Sequence, residues 1–403
     1  MSNVSTGVHT SDTEFMKQAP PVTACPDTAP PAWDAVDLFD DGDAFFQEME
    51  RAIASARTSI FLESYIFATD RLGLAIVTAL EKAASRGVDV RVIIDGVGSS
   101  SWSKQIRSRS KQGGFQLKVF HELPWARFFK RRAAPKKLGF FRGLFRRLNN
   151  RNHRKICIID GEAAFVGSFN VIEYHCRRYV GDAAWRDTGV YVRGKEVAVL
   201  TASFLDVWRG RALRVSRRIT KLQSGELIRL NTRRKLRREN YLDLLVKILG
   251  ATHRVWITNA YFVPDASLIR VLRIAAESGV DVRIVVPAFS DVVFIPWVAS
   301  AFHWGLLRAG VRIFEYTGTV LHAKTMLIDD WGLVGSSNLN HRSLLHDLEA
   351  DVVLGRASAS QALATQFADD CARSREITLR NWKDRPLLER IVGRIVLVGR
   401  RVL

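Results

Sequence analysis

Apolar strand-like runs alternate with helix-like segments along the chain from about Val36 onward. Ser59–Phe67 is rich in β-forming residues, Leu72–Arg86 repeats its apolar residues with helical spacing, and Val88–Ile94 is an almost continuous apolar run of strand length. Strands that alternate with helices in this way are typical of α/β domains. The pattern therefore predicts an α/β fold.

The same pattern occurs twice. The segment RGVDVRVII at 86–94 is echoed by SGVDVRIVV at 278–286, and each copy precedes a strand that carries a His-x-Lys motif. Gly87 and Gly279 are 192 positions apart, whereas His153 and His322 are only 169 apart. A duplication with an insertion in the first half explains both spacings. We expect one lobe over residues 36–215 and a similar lobe over 216–375.

Two further segments have distinctive compositions. Residues 1–35 are polar and contain five of the eleven prolines, which predicts a disordered tail. A basic insertion near 127–150 mixes phenylalanine and leucine with Lys and Arg and has no acidic residue. It is either a solvated loop or an amphipathic segment in the headgroup region of a membrane, and its seven large apolar residues favour the membrane.

The last two segments of interest have two interpretations each. Residues 376–403 form a basic amphipathic segment, which predicts either a terminal helix docked on the core or a membrane contact. Val292–Leu307 is an apolar run interrupted by Pro296, and it is either a buried helix or a surface that shelters acyl chains. No run reaches the roughly 18 clean apolar residues of a membrane-spanning helix. Residues 1–18 lack an apolar core, so we expect no signal peptide.

Charge points to the kind of partner. The 403 residues contain 60 Lys and Arg against 41 Asp and Glu, a net charge of +19. Such an excess favours an anionic partner, either a nucleic acid or an acidic membrane surface. The four cysteines form no pair with zinc or redox spacing, which argues against a disulfide-rich secreted module.

The candidate chemistry lies in two matching motifs. The first is His153-x-Lys155 with Asp160 and then Gly167-Ser168-x-Asn170; the second is His322-x-Lys324 with Asp329 and then Gly335-Ser336-x-Asn338. Residues i and i+2 of a strand share a face, so each histidine projects with its lysine. Burying such a pair is costly unless it meets an anion.

These groups suit a phosphodiester if the halves meet about a pseudo-twofold axis. The lysines would neutralise its non-bridging oxygens, and Ser168, Asn170, Ser336 and Asn338 would hydrogen-bond to them. One imidazole would attack phosphorus and form a phosphohistidine, while the other would act as general acid and base. Asp160 and Asp329 follow strands, where direct chemistry, a turn role and a lysine-orienting role all remain open.

Two more acidic residues match between the halves. Aligning Val190 with Val352 places Asp187 opposite Glu349, each just before a strand. Each is either a histidine-orienting acceptor or an ordinary acid at the start of a strand. No dense carboxylate cluster or His-x-x-x-His helix is present, so we expect no metal and no cofactor.

The motifs resemble those of the phospholipase D superfamily, whose signature is a duplicated His-x-Lys-x4-Asp with a trailing Gly-Ser-x-Asn. Within it, the chain most resembles bacterial cardiolipin synthases of the type without N-terminal membrane spans. The stretches that carry the likeness are LESYIF (62–67), RGVDVRVIIDGVGS (86–99), NHRKICIIDGEAAFVGSFN (152–170), WRDTGVYV (185–192), HAKTMLIDDWGLVGSSNLNHRSL (322–344) and LEADVVL (348–354). The second motif is one residue shorter between Asp329 and Gly335.

The resemblance implies two α/β lobes, each a mixed sheet flanked by helices, about a pseudo-twofold axis and one shared active site. It places the nucleophile at His153 and the general acid at His322. The implied reaction transfers a phosphatidyl group from phosphatidylglycerol to the headgroup hydroxyl of a second phospholipid and releases glycerol. We then expect an anionic phospholipid substrate, a membrane surface as partner, and a peripheral position on the cytoplasmic side of the bacterial inner membrane.

Two alternatives remain at this point. One is a phosphodiesterase that hydrolyses phospholipid or, less in keeping with the blocks of Phe and Leu beside Arg, nucleic acid. The other is a non-catalytic basic binding protein, which the completeness of both motif sets argues against. No nucleic acid partner is therefore expected, and the sequence does not indicate an oligomeric state.

Overall fold

The computed structural model describes residues 32–122, 150–210, 227–292 and 295–383. Within these ranges the strands form one sheet of seven and one sheet of eight. The predicted pair of α/β lobes is confirmed, and each sheet is mixed and flanked by helices.

The first sheet has the strand order β1-β7-β6-β5-β2-β3-β4. Strands β2, β3 and β4 pair in parallel, whereas β5, β6, β7 and β1 pair antiparallel. The helices that connect the parallel strands cover the sheet, which is why β2 and β3 read as apolar runs. The strands are Ala35–Phe39 (β1), Ser59–Ser64 (β2), Asp89–Asp95 (β3), Gln116–Phe120 (β4), Ile156–Ile159 (β5), Ala163–Gly167 (β6) and Gly189–Arg193 (β7).

The second sheet repeats this order with one added edge strand, as β8-β14-β13-β12-β9-β10-β11-β15. Strands β9, β10 and β11 are parallel, and β15 pairs antiparallel with β11 at the edge. The strands are Ile228–Leu230 (β8), Arg254–Asn259 (β9), Asp281–Pro287 (β10), Arg312–Tyr316 (β11), Lys324–Ile328 (β12), Trp331–Gly335 (β13), Ala350–Val353 (β14) and Ser374–Ile377 (β15).

Some of the helices begin at a residue whose side chain caps the first turn. Asp70 accepts a hydrogen bond from the backbone N–H of Gly73 at 2.9 Å, and Leu72, Ile76 and Leu80 then follow at helical spacing and are completely buried. The α-helices are Gly42–Ser55 (α1), Arg71–Ser85 (α2), Ser103–Gln112 (α3), Arg177–Val180 (α4), Val197–Trp208 (α5), Arg234–Leu249 (α6), Ala266–Glu277 (α7), Ile295–Arg308 (α8), His341–Leu345 (α9), Ala357–Ala372 (α10) and Leu379–Lys383 (α11).

The missing residue of the second motif lies in a turn. Residues 160–162 connect β5 to β6, whereas residues 329–330 connect β12 to β13. Each hairpin keeps its register up to the glycine that ends its second strand, Gly167 or Gly335. The difference therefore leaves the serine and asparagine that follow in matching positions.

The folded chain begins earlier than predicted. Trp33 is 1% exposed, and its indole N–H donates to the carbonyl of Val353 in the second sheet at 2.9 Å. β1 begins at Ala35, so residues 33–35 belong to the fold and not to the predicted tail. A large aromatic residue at the end of the polar stretch was the overlooked signal. The rest of the tail, residues 1–31, lies outside the described residues.

The predicted boundaries near the second lobe shift as well. β15 and α11 extend the folded chain to Lys383. Trp382 is buried, and its indole N–H donates to the carbonyl of Ser300. The segment that begins at 376 is therefore docked on the core at least as far as Lys383. Most of the run Val292–Leu307 falls in α8, which buries residues such as Val298 and Leu306 and leaves Trp297 partly exposed. The basic insertion at 127–149, the boundary at 215–216 and residues 384–403 lie outside the described residues.

Candidate active site

The backbone of each histidine motif is tied to the opposite half of the chain. Asn152 pairs with Leu348 in an isolated parallel bridge, and the N–H of His153 donates to the carbonyl of Leu348 at 3.0 Å. Arg186 and Leu321 make the matching bridge, in which the N–H of His322 donates to the carbonyl of Arg186 at 2.8 Å. Each histidine therefore lies beside the residue that precedes a carboxylate of the other half.

Each of the two carboxylates contacts the histidine of the other half of the chain. The Nδ1 atom of His153 lies 3.1 Å from both carboxylate oxygens of Glu349, and the Nδ1 atom of His322 lies 2.7 Å from Oδ2 of Asp187. Both carboxylates are completely buried. With Nδ1 held in this way, Nε2 is the ring nitrogen left for chemistry, so the structure places Asp187 and Glu349 where a histidine-orienting acceptor must be.

Each motif serine donates a hydrogen bond to one of these carboxylates. The hydroxyl of Ser168 donates to Asp187, and the hydroxyl of Ser336 donates to Glu349. A hydroxyl has a single proton, so neither serine has one left for a phosphate oxygen in this arrangement. The expectation that these serines bind phosphate is corrected: they hold the carboxylates that hold the histidines.

The glycine before each serine makes this contact reachable. A Cβ atom on Gly167 would lie 2.5 Å from the Cα of Gly189, and one on Gly335 would lie 2.6 Å from the Cα of Asp351. Such distances are far below van der Waals contact, so only glycine allows the two strands to approach this closely.

Each lysine lies near the same tyrosine ring as its histidine, Tyr65 in the first half and Tyr261 in the second, although both histidines precede the strands. Nζ of Lys155 donates to the carbonyl of His153 at 2.7 Å, and Nζ of Lys324 donates to the carbonyl of His322. Each ammonium also lies near an aromatic ring, 5.5 Å from the centre of Tyr65 and 5.7 Å from that of Tyr261. Two buried cations with incomplete compensation make a site for an anion.

The electrostatics show that the four groups share one site. Burial lowers the pKa of His153 well below its usual value, and Lys155, Lys324 and His322 lower it further. Burial also lowers the pKa of Lys155 to about 7 and that of Lys324 to about 8, although carboxylates from both halves oppose this. A bound phosphate would restore the lysine charge, which is what a phosphate site requires.

The two carboxylates differ in charge. Burial would raise the pKa of Asp187, but His322 and other nearby cations lower it to about 2. Burial raises the pKa of Glu349 to about 7 in spite of Lys155. His322 therefore faces a permanent carboxylate that stabilises its cation, while His153 faces a weaker anion.

The motif asparagines lie beside the site. The side-chain oxygen of Asn170 accepts the N–H of Ile66 at 3.1 Å, which directs its amide nitrogen away from that contact. The side-chain oxygen of Asn338 is buried and has no hydrogen-bond partner in the described part of the chain. The amide nitrogens remain the groups by which these residues would reach a phosphate.

Asp160 and Asp329 are not brought to the histidines. The carboxylate of Asp160 accepts the backbone N–H groups of Arg57, Thr58 and Ser59 at 2.7–3.2 Å, at the far end of β5 from Lys155. Asp329 does the same for residues 252–254. Both adopt positive φ angles, 53° and 47°, which Asp tolerates better than most residues. Of the roles left open for them, the structure favours the turn.

Sequence reasoning missed two residues that complete the carboxylate shells. Ser343 donates to Oε1 of Glu349 at 2.6 Å, and Nδ1 of His175 lies 3.4 Å from Oδ2 of Asp187. Each also binds the backbone N–H of the motif asparagine in its own half. Both lie five positions after that asparagine, an offset repeated between the halves that was visible in the sequence.

One group of side chains has the composition of a metal site. His175, Asp187 and His322 place one nitrogen or oxygen each within 4.8 Å of one another, the only such group in the described ranges. The 2.7 Å from Asp187 to His322 is a hydrogen-bond distance, and a metal there would displace the proton that this bond requires. The geometry fits a shared proton better than a shared ion.

Comparison with known proteins places this geometry in a family. The sequence model described as "Cardiolipin synthase, PLD-like domain" matches residues 49–208 and 244–371. The cardiolipin synthase of Clostridium perfringens is 31% identical over 379 residues, which cover 90% of this chain and 75% of that protein. That of Halalkalibacterium halodurans is 31% identical over 365 residues, with 87% and 69% covered.

Solved structures show the same fold at much lower identity. The phosphatidylserine synthase of Haemophilus influenzae has a TM-score of 0.65 at 12% identity and covers 93% of this chain and 97% of its own. A polyphosphate kinase from Porphyromonas gingivalis has a TM-score of 0.56 at 13% identity, with 97% and 58% covered. At such identities the likeness concerns the fold alone.

Proposed function

This chain belongs to the cardiolipin synthase family of phospholipase D-like phosphatidyltransferases, and from that premise we propose that it transfers a phosphatidyl group from phosphatidylglycerol to the headgroup hydroxyl of a second phospholipid, releasing glycerol. The observation that carries the proposal is the pair of buried histidines, each held through Nδ1 by a carboxylate of the other half, with two buried lysines close enough to lower the pKa of His153.

The first half-reaction forms a phosphohistidine. Nε2 of His153 attacks phosphorus, the bond to the glycerol oxygen breaks, and His322 donates its proton to that oxygen. The charges support this assignment, because a nucleophile must be neutral and an acid must be protonated. Burial lowers the pKa of both histidines, that of His153 well below its usual value, and at His322 the anionic Asp187 opposes the effect and favours the cation.

The second half-reaction regenerates the enzyme. His322 removes the proton from the acceptor hydroxyl, whose oxygen attacks phosphorus, and the bond between phosphorus and Nε2 of His153 breaks. In both transition states Lys155 and Lys324 neutralise the non-bridging oxygens. Asn170 and Asn338 supply amide donors, while the two motif serines act only through the carboxylates.

Transfer requires that the acceptor alcohol outcompete water. The histidines are at most 9% exposed, and burial of the site limits the access of water to the intermediate. We place the enzyme at the cytoplasmic surface of the bacterial inner membrane, bound peripherally through its positive charge. Of the described helices, none combines the length and the apolarity needed to cross a bilayer.

The test is product analysis of purified protein with labelled phosphatidylglycerol in mixed micelles. Cardiolipin and glycerol are expected, whereas phosphatidic acid alone would mean hydrolysis, the alternative function. His153→Ala and His322→Ala should each abolish turnover. His253→Ala is the matched control, since its side chain is exposed and makes no hydrogen bond or ion pair with a described residue, so the variant should keep wild-type turnover.

A further inference from the structure

A cavity opens on the second lobe, and the four catalytic side chains do not line it. Its volume is about 1220 Å³, and none of the histidines or lysines of the active site lines it. Its walls come from the start of α6, from α9 and its following residue, and from Asn150. The described lining consists of Asn150, Thr232, Arg233, Arg234, Lys235, Arg237, Arg238, Tyr241, Asp265, His341, Leu344, Leu345 and His346.

The cavity is strongly cationic. Its lining carries five Lys or Arg side chains against one carboxylate, Asp265, which already accepts the Tyr241 hydroxyl and the N–H of Leu268. Arg234 and Arg238 are exposed and make no ion pair with any described residue. Lys235 pairs with Glu239 at 3.6 Å, and the surplus of positive charge that remains favours an anionic ligand.

One of these cations is buried without a carboxylate in contact. Arg237 is 8% exposed, and its guanidinium donates to the backbone carbonyls of Asn231 at 2.8 Å and His346 at 3.0 Å. Burying a guanidinium on neutral acceptors is costly unless an anion offsets the charge. Burial lowers the pKa of Arg237 and Asp347 and Glu349 oppose this effect, so this residue is a fixed and partly compensated cation of the cavity wall and not a mobile surface charge.

The backbone adds donors to the same place. Arg233, the N-cap of α6, makes no side-chain capping bond, so the first N–H groups of this 16-residue helix lack a side-chain acceptor. The neighbouring Thr232 is 4% exposed, lines the cavity, and has a hydroxyl without a hydrogen-bond partner among the described residues. The first turn of α6 and the buried hydroxyl of Thr232 thus lie beside the cationic side chains of the cavity.

The remaining wall is apolar. Leu344 and Leu345 line the cavity from α9, and Leu345 is 50% exposed, one of the few large apolar side chains that reach solvent to this extent in the described ranges. Cationic donors beside exposed leucines match an amphiphile with a phosphate headgroup. We propose that this cavity binds the headgroup of an anionic phospholipid, separately from the catalytic site, with its glycerol backbone and proximal acyl carbons against Leu344 and Leu345.

The site is coupled to catalysis through α9. The carbonyl of His346 accepts from Arg237, and Ser343 of the same short helix donates to Glu349, the partner of His153. A lipid held in the cavity would fix the helix that positions this carboxylate. The bound lipid would thus orient the enzyme on an anionic surface and stabilise its histidine pair at once.

The test reverses charge at the cavity mouth. Arg234→Glu/Arg238→Glu is compared with Lys104→Glu/Lys111→Glu, a matched pair of exposed lysines on α3 with the same change in net charge. Glutamate near the start of α6 suits the helix dipole, so folding should be retained. Binding is measured by co-sedimentation with phosphatidylcholine vesicles that contain or lack phosphatidylglycerol, in a His153→Ala background that prevents turnover.

The cavity variant should weaken binding to phosphatidylglycerol vesicles on the order of tenfold or more, and the α3 variant much less. Equal losses in both variants would overturn the proposal, because they would indicate diffuse surface charge. Leu345→Ser should also weaken vesicle binding, and an unchanged value would overturn the apolar part of the site.

A further arm separates lipid from free phosphate as the ligand. Inorganic phosphate should reduce vesicle binding no more than sodium chloride at equal ionic strength, and selective competition by phosphate would overturn the assignment to lipid. The assay measures binding without turnover. Failure of the proposed phosphatidyl transfer would therefore not be mistaken for failure of this site.

Discussion

At the scale of single residues, each histidine is paired with a carboxylate of the other half, but the two carboxylates differ in charge. His322 is paired with Asp187, whose pKa is lowered to about 2, whereas His153 is paired with Glu349, whose pKa burial raises to about 7. A permanent anion favours imidazolium, and a weaker one leaves imidazole neutral. Burial lowers the pKa of both rings, and Asp187 opposes this at His322. The asymmetry supports our proposal that His322 is the acid and His153 the nucleophile.

The assignment predicts different partial reactions in the two alanine variants. With a phosphatidyl ester of nitrophenol, the leaving group needs no proton, so His322→Ala should still release nitrophenol in a single burst with the label retained on the protein. His153→Ala should give neither burst nor label. Rapid-mixing absorbance and acid-labile incorporation of label measure both, and a burst in His153→Ala instead would exchange the two roles.

The carboxylates predict a pH profile that depends on Glu349. Its raised pKa means that the carboxyl is protonated below about pH 7 and loses its pull on His153, so kcat/KM should fall as the pH drops through about 7. Lys155 and Lys324, with pKa values of about 7 and about 8, should limit the alkaline side as each loses its charge. Glu349→Gln should lower kcat by roughly two to four orders of magnitude and flatten the acidic limb.

Asp187→Asn is the comparison for that profile. Asp187 stays ionised at every pH used, so its loss should lower the rate by a similar factor while the acidic limb near 7 remains. An acidic limb that survives in Glu349→Gln would assign the titration to another group. Thermal unfolding of both variants separates these effects from a loss of fold.

At the scale of elements, the hairpin that carries each motif is anchored at its far end by the third signature residue. Asp160 accepts three backbone N–H groups and the hydroxyl of Thr58, and these hydrogen bonds lower its pKa against the effect of burial. Asp329 repeats the arrangement in the second lobe. These aspartates hold β2 against β5 and β9 against β12. Through these pairings they fix the position from which each His-x-Lys segment enters its strand.

Asp160→Ala should therefore lower stability and spare the chemistry. Loss of a charged acceptor for several N–H groups should cost about 1.5–3 kcal/mol of unfolding free energy, and a positive φ of 53° adds strain to alanine. Asp160→Asn keeps an acceptor and tolerates that φ angle, so it should recover part of the loss. Chemical denaturation measures both, and a large fall in kcat of folded Asp160→Asn would restore a direct chemical role.

The elements also show what the sequence can and cannot predict. Periodicity and duplication predict the two sheets, because the apolar pattern of a strand is a local property. Strand alternation does not account for the placement of the two motif histidines and Lys155, which precede the strands. The destinations of hydrogen bonds are not local. The hydroxyls of Ser168 and Ser336 had two plausible acceptors, a phosphate or a carboxylate, and only the close approach of strands at Gly167 and Gly335 decides between them.

At the scale of the whole molecule, the active site exists only because the lobes are held together. One continuous apolar core takes residues from both sheets, among them Val190 of the first and Val334 and Val352 of the second. Trp33 extends this core from the N-terminal side, and the guanidinium of Arg356 donates to its carbonyl at 2.8 Å. The crossed histidine–carboxylate pairs depend on this shared core.

A shared core predicts that the described lobes unfold in one transition. Trp33→Ala should lower the unfolding free energy by about 3–5 kcal/mol, because a buried indole and its bond to Val353 are lost, and the single transition should move to lower temperature without splitting. Trp33→Phe should fall between that variant and wild type. Phe289→Ala, which removes an aromatic ring that is 60% exposed, should leave the midpoint nearly unchanged. Calorimetry measures all three, and a second transition in Trp33→Ala would mean that the lobes unfold independently and that the tryptophan merely joins them.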